Sequence, residues 1–165
     1  MQEDLVRALR SQWPAIRERW ERLLHVEPAN TPLAYPDTLV HLLDWTLEEI
    51  FRELTAVPSR RRSSRSGALS HGQAAHCPCG RNPLLTFFAV GEQAMREALV
   101  LVQAASPALD PIERDASLAE LDLVVHHIAR REIESFCGVC QHRDEKTSSC
   151  RLSAHPPVTL VAFSR

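Results

Sequence analysis

Two pairs of cysteines carry the most specific chemistry in this sequence. Cys77 and Cys79 lie one residue apart in "AHCPCGRNPLL", and Cys137 and Cys140 are separated by two residues in "ESFCGVCQHR". Each short spacing lets two thiolates chelate one ion, and four thiolates in two such pairs suit a tetrahedral Zn²⁺. The same four residues can hold an iron–sulfur cluster. A third reading is reduced thiols or reversible disulfides with no metal. His76 and His142 flank the pairs and are substitutes for one thiolate, whereas Cys150 is left over in a polar stretch. Four thiolates around one Zn²⁺ carry about two net negative charges, which Arg81, His142 and Arg143 are placed to offset.

The spacing of Cys137 and Cys140 also fits a dithiol redox pair. Such a pair draws its reactivity from a helix N-terminus that follows a strand. Here the pair falls at the C-terminal end of a helical pattern, where the negative end of the helix opposes thiolate formation. No alternating strand-and-helix pattern surrounds it, and the redox reading is rejected.

Four helical segments must position these residues. Leu5, Leu9, Trp13, Ile16, Trp20, Leu23 and Leu24 recur at spacings of three and four over residues 3–26, with Pro14 predicting a kink or break near Trp13. A second helix is expected from Asp37 to just before Pro58, with Val40, Leu43, Leu47, Ile50 and Leu54 on one face. Asn82 as cap and Pro83 in the first helical position start a third, which runs to about Ala105. Asp110, Pro111 and Glu113 make a capping box for a fourth, with Leu118, Leu121, Val125 and Ile128 turned inward. The expected fold is all-α, an antiparallel four-helix bundle.

The turn between the third and fourth helices decides where the cysteines go. Counting back about 22 residues, roughly 33 Å at 1.5 Å per residue, reaches Leu84, and the same count forward reaches Ile133. Both cysteine pairs are therefore expected at the same end of the hairpin. The whole bundle spans 1–143, including a flexible basic loop at 58–75, and 144–165 reads as a polar, partly disordered tail.

Composition narrows the functional classes. The 165 residues carry a formal net charge of -2, with 44% hydrophobic and 24% charged residues. That balance fits one globular domain and does not resemble a nucleic-acid-binding chain. No apolar run approaches the roughly 18 residues of a membrane span. The amphipathic, acidic start "MQEDLVRALRSQW" is no secretory signal, and a cytoplasmic location is expected. Five cysteines in such a compartment point to metal rather than to a disulfide framework.

The remaining candidates are weaker. Arg60, Arg61, Arg62 and Arg65 in "SRRRSSRS" form a possible contact for an acidic partner, but with no interleaved aromatics they read first as a solvated loop. His126 is adjacent to His127 in the fourth helix, so at most one faces the core, as a satisfied core histidine. Trp13, Trp20 and Trp45 read as packing residues. No P-loop, G-x-S-x-G, H-E-x-x-H or dinucleotide fingerprint is present, so no enzyme class is proposed.

The segments "IRERW" and "PDTLVHLLDWTLEEIFREL" resemble the first two helices of the N-terminal domains of RsbR-type stress-signalling co-antagonists. The similarity covers about a third of the chain and implies a signal-input or protein-interaction domain, dimeric in arrangement. The cysteine pairs are not part of that pattern. Together these readings predict a sensory or protein-interaction module that works on another protein and is stabilised by a structural zinc. The alternative is a redox or gas sensor with an iron–sulfur cluster on the same cysteines.

Overall fold

The computed structural model describes residues 1–26, 39–56, 82–106 and 108–138. Within them every regular element is a helix: α1 (Glu3–Ser11), α2 (Trp13–Val26), α3 (Leu43–Thr55), α4 (Leu84–Ala104) and α5 (Pro111–Gly138). The all-α class expected from the sequence holds, and there is no strand among the described residues. None of these helices is long and apolar enough to cross a membrane.

The segment 3–26 breaks where Pro14 requires it. Proline has no N–H to donate four residues back, and its ring crowds the carbonyl there. The backbone yields at Gln12 (φ −86°, ψ 7°), whose N–H turns back to the Leu9 and Arg10 carbonyls. Ile16 then donates to the Gln12 carbonyl at 2.9 Å and the helix resumes. The expected box closes the start of α5: Glu113 N–H donates to Asp110 Oδ1 at 2.7 Å, and Asp110 N–H to Glu113 Oε2 at 3.2 Å.

One apolar cluster joins all five helices. Leu5, Leu9, Ile16, Trp20 and Leu24 meet Leu43, Leu47, Ile50, Phe51 and Leu54 of α3, and Phe87, Met95 and Leu99 of α4. Leu121, Val125, Ile128 and Ile133 of α5 complete it. Trp20 is fully buried, and Trp13 stacks on Phe51 with ring centroids 5.6 Å apart. Trp45 corrects the expectation: it is 49% exposed, because the helical period puts it opposite the buried stripe of α3.

Polar contacts fix the helix directions. As positions on α4 fall, their partners on α5 rise: Gln103 with the Arg114 carbonyl (3.0 Å), Arg96 with Asp122 (2.7 Å), Glu92 with His126 (3.0 Å), and Asn82 with the Ile133 carbonyl (3.3 Å). These two helices are antiparallel. Arg10–Glu48 and Arg17–Asp44 set α3 against α1 and α2 in the same sense. The Met1 amino group meets Glu120 and Gln2 meets Glu113, whereas Trp20 reaches Phe87 near the start of α4. So α1 and α2 run against α4, and α3 shares the direction of α4. The end of α3 and the start of α4 consequently lie towards opposite ends of the molecule.

Candidate metal centre

The start of α4 and the last turns of α5 meet at Asn82. Pro83 already has helical dihedrals (φ −64°, ψ −24°), so Asn82 occupies the capping position. Its Oδ1 accepts the Leu84 N–H at 3.0 Å, satisfying a donor that has no partner inside the helix. The other half of the amide turns to α5. Nδ2 donates to the Ile133 carbonyl at 3.3 Å and to Cys137 Sγ at 3.5 Å. Asn82 is 3% exposed, and each polar atom of its buried side chain has a partner.

Cys137 is half-buried and unbridged, and it packs against the core cluster beside the start of α4. An amide N–H on sulfur suits a thiolate ligand, since the donor offsets negative charge and fixes the direction of the sulfur. At this position Cys137 is one half-buried cysteine whose sulfur accepts an amide N–H.

Of the candidate metal ligands and partner contacts singled out from the sequence, only Cys137 falls inside the described residues. Cys77, Cys79 and Cys140 lie outside them, as do the substitute ligands His76 and His142, the arginines Arg60, Arg61, Arg62 and Arg65, and Cys150. The basic loop at 58–75 and the tail at 144–165 lie outside them too. Among the described residues no group of three or more His, Cys, Asp or Glu side chains is gathered to hold a metal ion.

Two other charged constellations occur, and both read as structural. On the surface between α4 and α5, Arg96 bonds Asp122 through two nitrogens (2.7 and 2.8 Å) and Glu92 at 2.7 Å, while His126 meets Glu92 at 3.0 Å. His126 is thus a surface partner of an acid and His127 is half-buried, in keeping with the expectation that at most one of the two faces the core. Nearer the cysteine end, Glu49 is 6% exposed and is paired with Arg52 and with Arg131. Burial works against the Arg131 charge, but the hydrogen bonds it donates to Glu132 and Glu49 outweigh it and raise its pKa. Sequence reasoning passed over Glu49, since nothing local announces that α5 will cover it.

No family model, curated protein or solved structure matches this chain. The functional reading therefore rests on the residues and their geometry.

Proposed function

We propose that this chain is a sensory or protein-interaction module, a four-helix bundle stapled at one end by a structural Zn²⁺ on Cys77, Cys79, Cys137 and Cys140. In this reading α1 and α2 count as one broken helix, and each of the four rods packs on antiparallel neighbours. The observation that carries it is the contact between Asn82 and Cys137. Cys79 precedes Asn82 by three residues, a covalent reach of at most about 11 Å. Cys140 follows Cys137 by the same count. Both pairs are thereby tethered to one contact between helix ends.

When bound, the ion supplies a tetrahedral cross-link; four thiolates leave no open position for a reacting group. The chain's own residues do the rest. Asn82 holds the Cys137 sulfur, and the capped start of α4 fixes where the first pair departs. A metal bound by the folded form alone adds its binding energy to folding. For the interaction role, the support is a surface that leaves Trp45 (49%), Leu101 (71%) and Ile112 (79%) open, together with the resemblance of the first helices to sensor domains. Another protein, or a second copy of the chain, is the partner of this reading.

Elemental analysis and a visible spectrum of protein purified without oxygen test it. One zinc per chain, no colour, and a joint loss of zinc and thermal stability in Cys137→Ser are the expected results. Iron with sulfide and a brown chromophore would instead make the four cysteines a redox centre. A folded chain free of metal, or Cys137→Ser with full metal and an unchanged melting point, would sink the proposal.

A further inference from the structure

We propose that the outer face of the α4–α5 hairpin is an interface with a second copy of this chain, packed across a two-fold axis with the two α5 helices antiparallel. The proposal deepens the interaction half of the reading above by naming its partner, and it draws on none of the cysteines.

Helix α5 is apolar on two sides. Leu121, Val125, Ile128 and Ile133 enter the core. On the opposite side Ile112, Ala116, Ala119 and Leu123 recur at spacings of four, three and four, all of them exposed, Ile112 to 79% and Leu123 to 46%. A helix that meets only water on its outer side carries polar residues there, whereas this spacing is that of a seam between helices. Helix α4 widens the surface. Arg96 with Asp122 and Gln103 with the Arg114 carbonyl set the register of the two helices. That register brings Val100, 50% exposed, level with residues 118 and 119. Val100, Ile112, Ala119 and Leu123 therefore make one apolar patch beside the turn that joins α4 to α5.

The charges around the patch favour a second copy as its cover. The first half of the outer side of α5 holds the exposed Asp115, whose carboxylate is paired with no described residue. The second half holds His126 and Arg130. With two antiparallel α5 helices centred level with Leu121, Asp115 of each copy lies beside His126 of the other. Leu123 then seats over the small Ala119 of the second copy, a knob in a hole, and Ile112 meets the stem of Arg130. Asp122, close to the axis, is already neutralised by Arg96 of its own chain. Two other arrangements fail on charge. Sliding Ile112 against Leu123 sets Asp115 facing Glu120 and Asp122 of the other copy, and a parallel pairing sets Asp115 facing Asp115. Like charges brought together in this way select against both.

The face also sets the strength of the contact. From Ile112 to Arg130 it is about 27 Å long, and two helices side by side are about 20 Å wide. That is on the order of 500 Å² a side, below the roughly 800 Å² of a standard interface. A dissociation constant of about 10–100 μM follows, a dimer that forms and parts with concentration.

Sedimentation equilibrium of the full-length chain, from about 1 to about 500 μM, tests this. The parent should pass from monomer to dimer over that range. Leu123→Glu, at an exposed position that leaves the core alone, should weaken the dimer at least about tenfold. Leu101→Glu is the control. Leu101 is 71% exposed but lies one turn beyond Glu97, on the side of α4 that meets Arg19 of α2, and its change should leave the dimer as it was. Raising the salt from about 0.05 to about 0.5 M should weaken the parent, and Asp115→Arg should weaken it at low salt and remove that dependence. A parent that stays monomeric at the highest concentration overturns the proposal and leaves the face to a different protein. So does a dimer broken by Leu101→Glu and not by Leu123→Glu. A dimer that salt or Asp115→Arg tightens would sink the antiparallel register. Zinc measured on the same samples separates the two readings: a dimer without zinc keeps this inference and removes the staple, and a zinc-bound monomer does the reverse.

Discussion

Helix α4 shows one kind of seam to α2 and another to α5. Towards α2 the contact is a matter of shape. The fully buried Trp20 ring lies over Gly91, its centroid is 4.9 Å from that of Phe87, and its indole N–H donates to the Phe87 carbonyl at 3.0 Å. Towards α5 an apolar interior of Met95, Leu99, Leu121 and Val125 is edged by charges, with Arg96, Asp122, Glu92 and His126 along the rim and Asn82 at the end. The first seam fixes distance and admits no added atom. The second fixes register and stays solvated enough to tolerate change.

The largest effect should come from a single methyl group in the first seam. On an open helix, Gly→Ala stabilises by about 1 kcal/mol through backbone propensity. At Gly91 the new Cβ would land on Trp20 Cζ2 and Cε2 and come within 2.5 Å of Cη2. Overpacking of this kind costs about 1–3 kcal/mol, and more where the neighbour cannot move. Trp20 is held by its hydrogen bond and by full burial, so the clash outweighs the propensity gain. Gly91→Ala is expected to lower stability by about 2–3 kcal/mol or more in chemical denaturation. The cycle with Trp20→Phe, which removes the outer ring atoms, sharpens the point: the double variant should lose less than the sum of the two single changes. Full additivity would mean that the two residues do not meet as described.

How much of this was legible in the sequence depends on whether the cause was local. Pro14, Asn82 with Pro83, and Asp110 with Glu113 act through their own backbone neighbours, and each break or cap lies where its chemistry required. The inward stripes on α1 to α5 were legible for the same reason. Gly91 was not, because its cause is a tryptophan from another helix. Glu49 was hidden in the same way, since its cover is Arg131 of α5. Trp45 is a different case. About 100° per residue sets it opposite Leu43, Leu47 and Leu54, and on α3 the helical period, not the apolar residue type, decides which side chain is buried. At the cysteine end, matched helix lengths placed the start of the third helix beside Ile133 of the fourth, but no local rule announces that one Asn82 amide bonds both the Ile133 carbonyl and Cys137.

The charged rim of the second seam should yield far less. Arg96 is 46% exposed on its side chain and Asp122 is 25% exposed. The hydrogen bond with Asp122 raises the Arg96 pKa despite its partial burial. Ion pairs this exposed contribute from about 0 to 1 kcal/mol, less as salt rises. Arg96→Met, which keeps the stem over the apolar interior, should cost under about 1 kcal/mol. Repeating the measurement in 1 M salt should shrink the difference further. A loss as large as that of Gly91→Ala would erase the distinction between the seams.

The smallest effect belongs to a pair at the edge of the first seam, where α2 and α4 also exchange charge. Arg19 holds Glu97 through two bonds, at 2.7 and 3.0 Å, and Gln93 adds a third at 2.9 Å. The Arg19 hydrogen bond, helped by Gln93, lowers the Glu97 pKa from 4.5 to about 2. A carboxylate whose pKa falls on folding stabilises the fold fully above its unfolded value, and that contribution is lost as the pH drops through the folded value. The window here runs from about 4.5 down to about 2. Because the two side chains are 38% and 41% exposed, water and salt screen the pair, and the change in stability across the window should be slight. The pKa itself is the sharper readout. Following the Glu97 carboxyl carbon by NMR, Arg19→Gln should return its midpoint towards the ordinary carboxylate range, with little change in the melting point at neutral pH. A midpoint that stays near 2 without Arg19 would mean that the charge contact between α2 and α4 is not what holds Glu97 ionised.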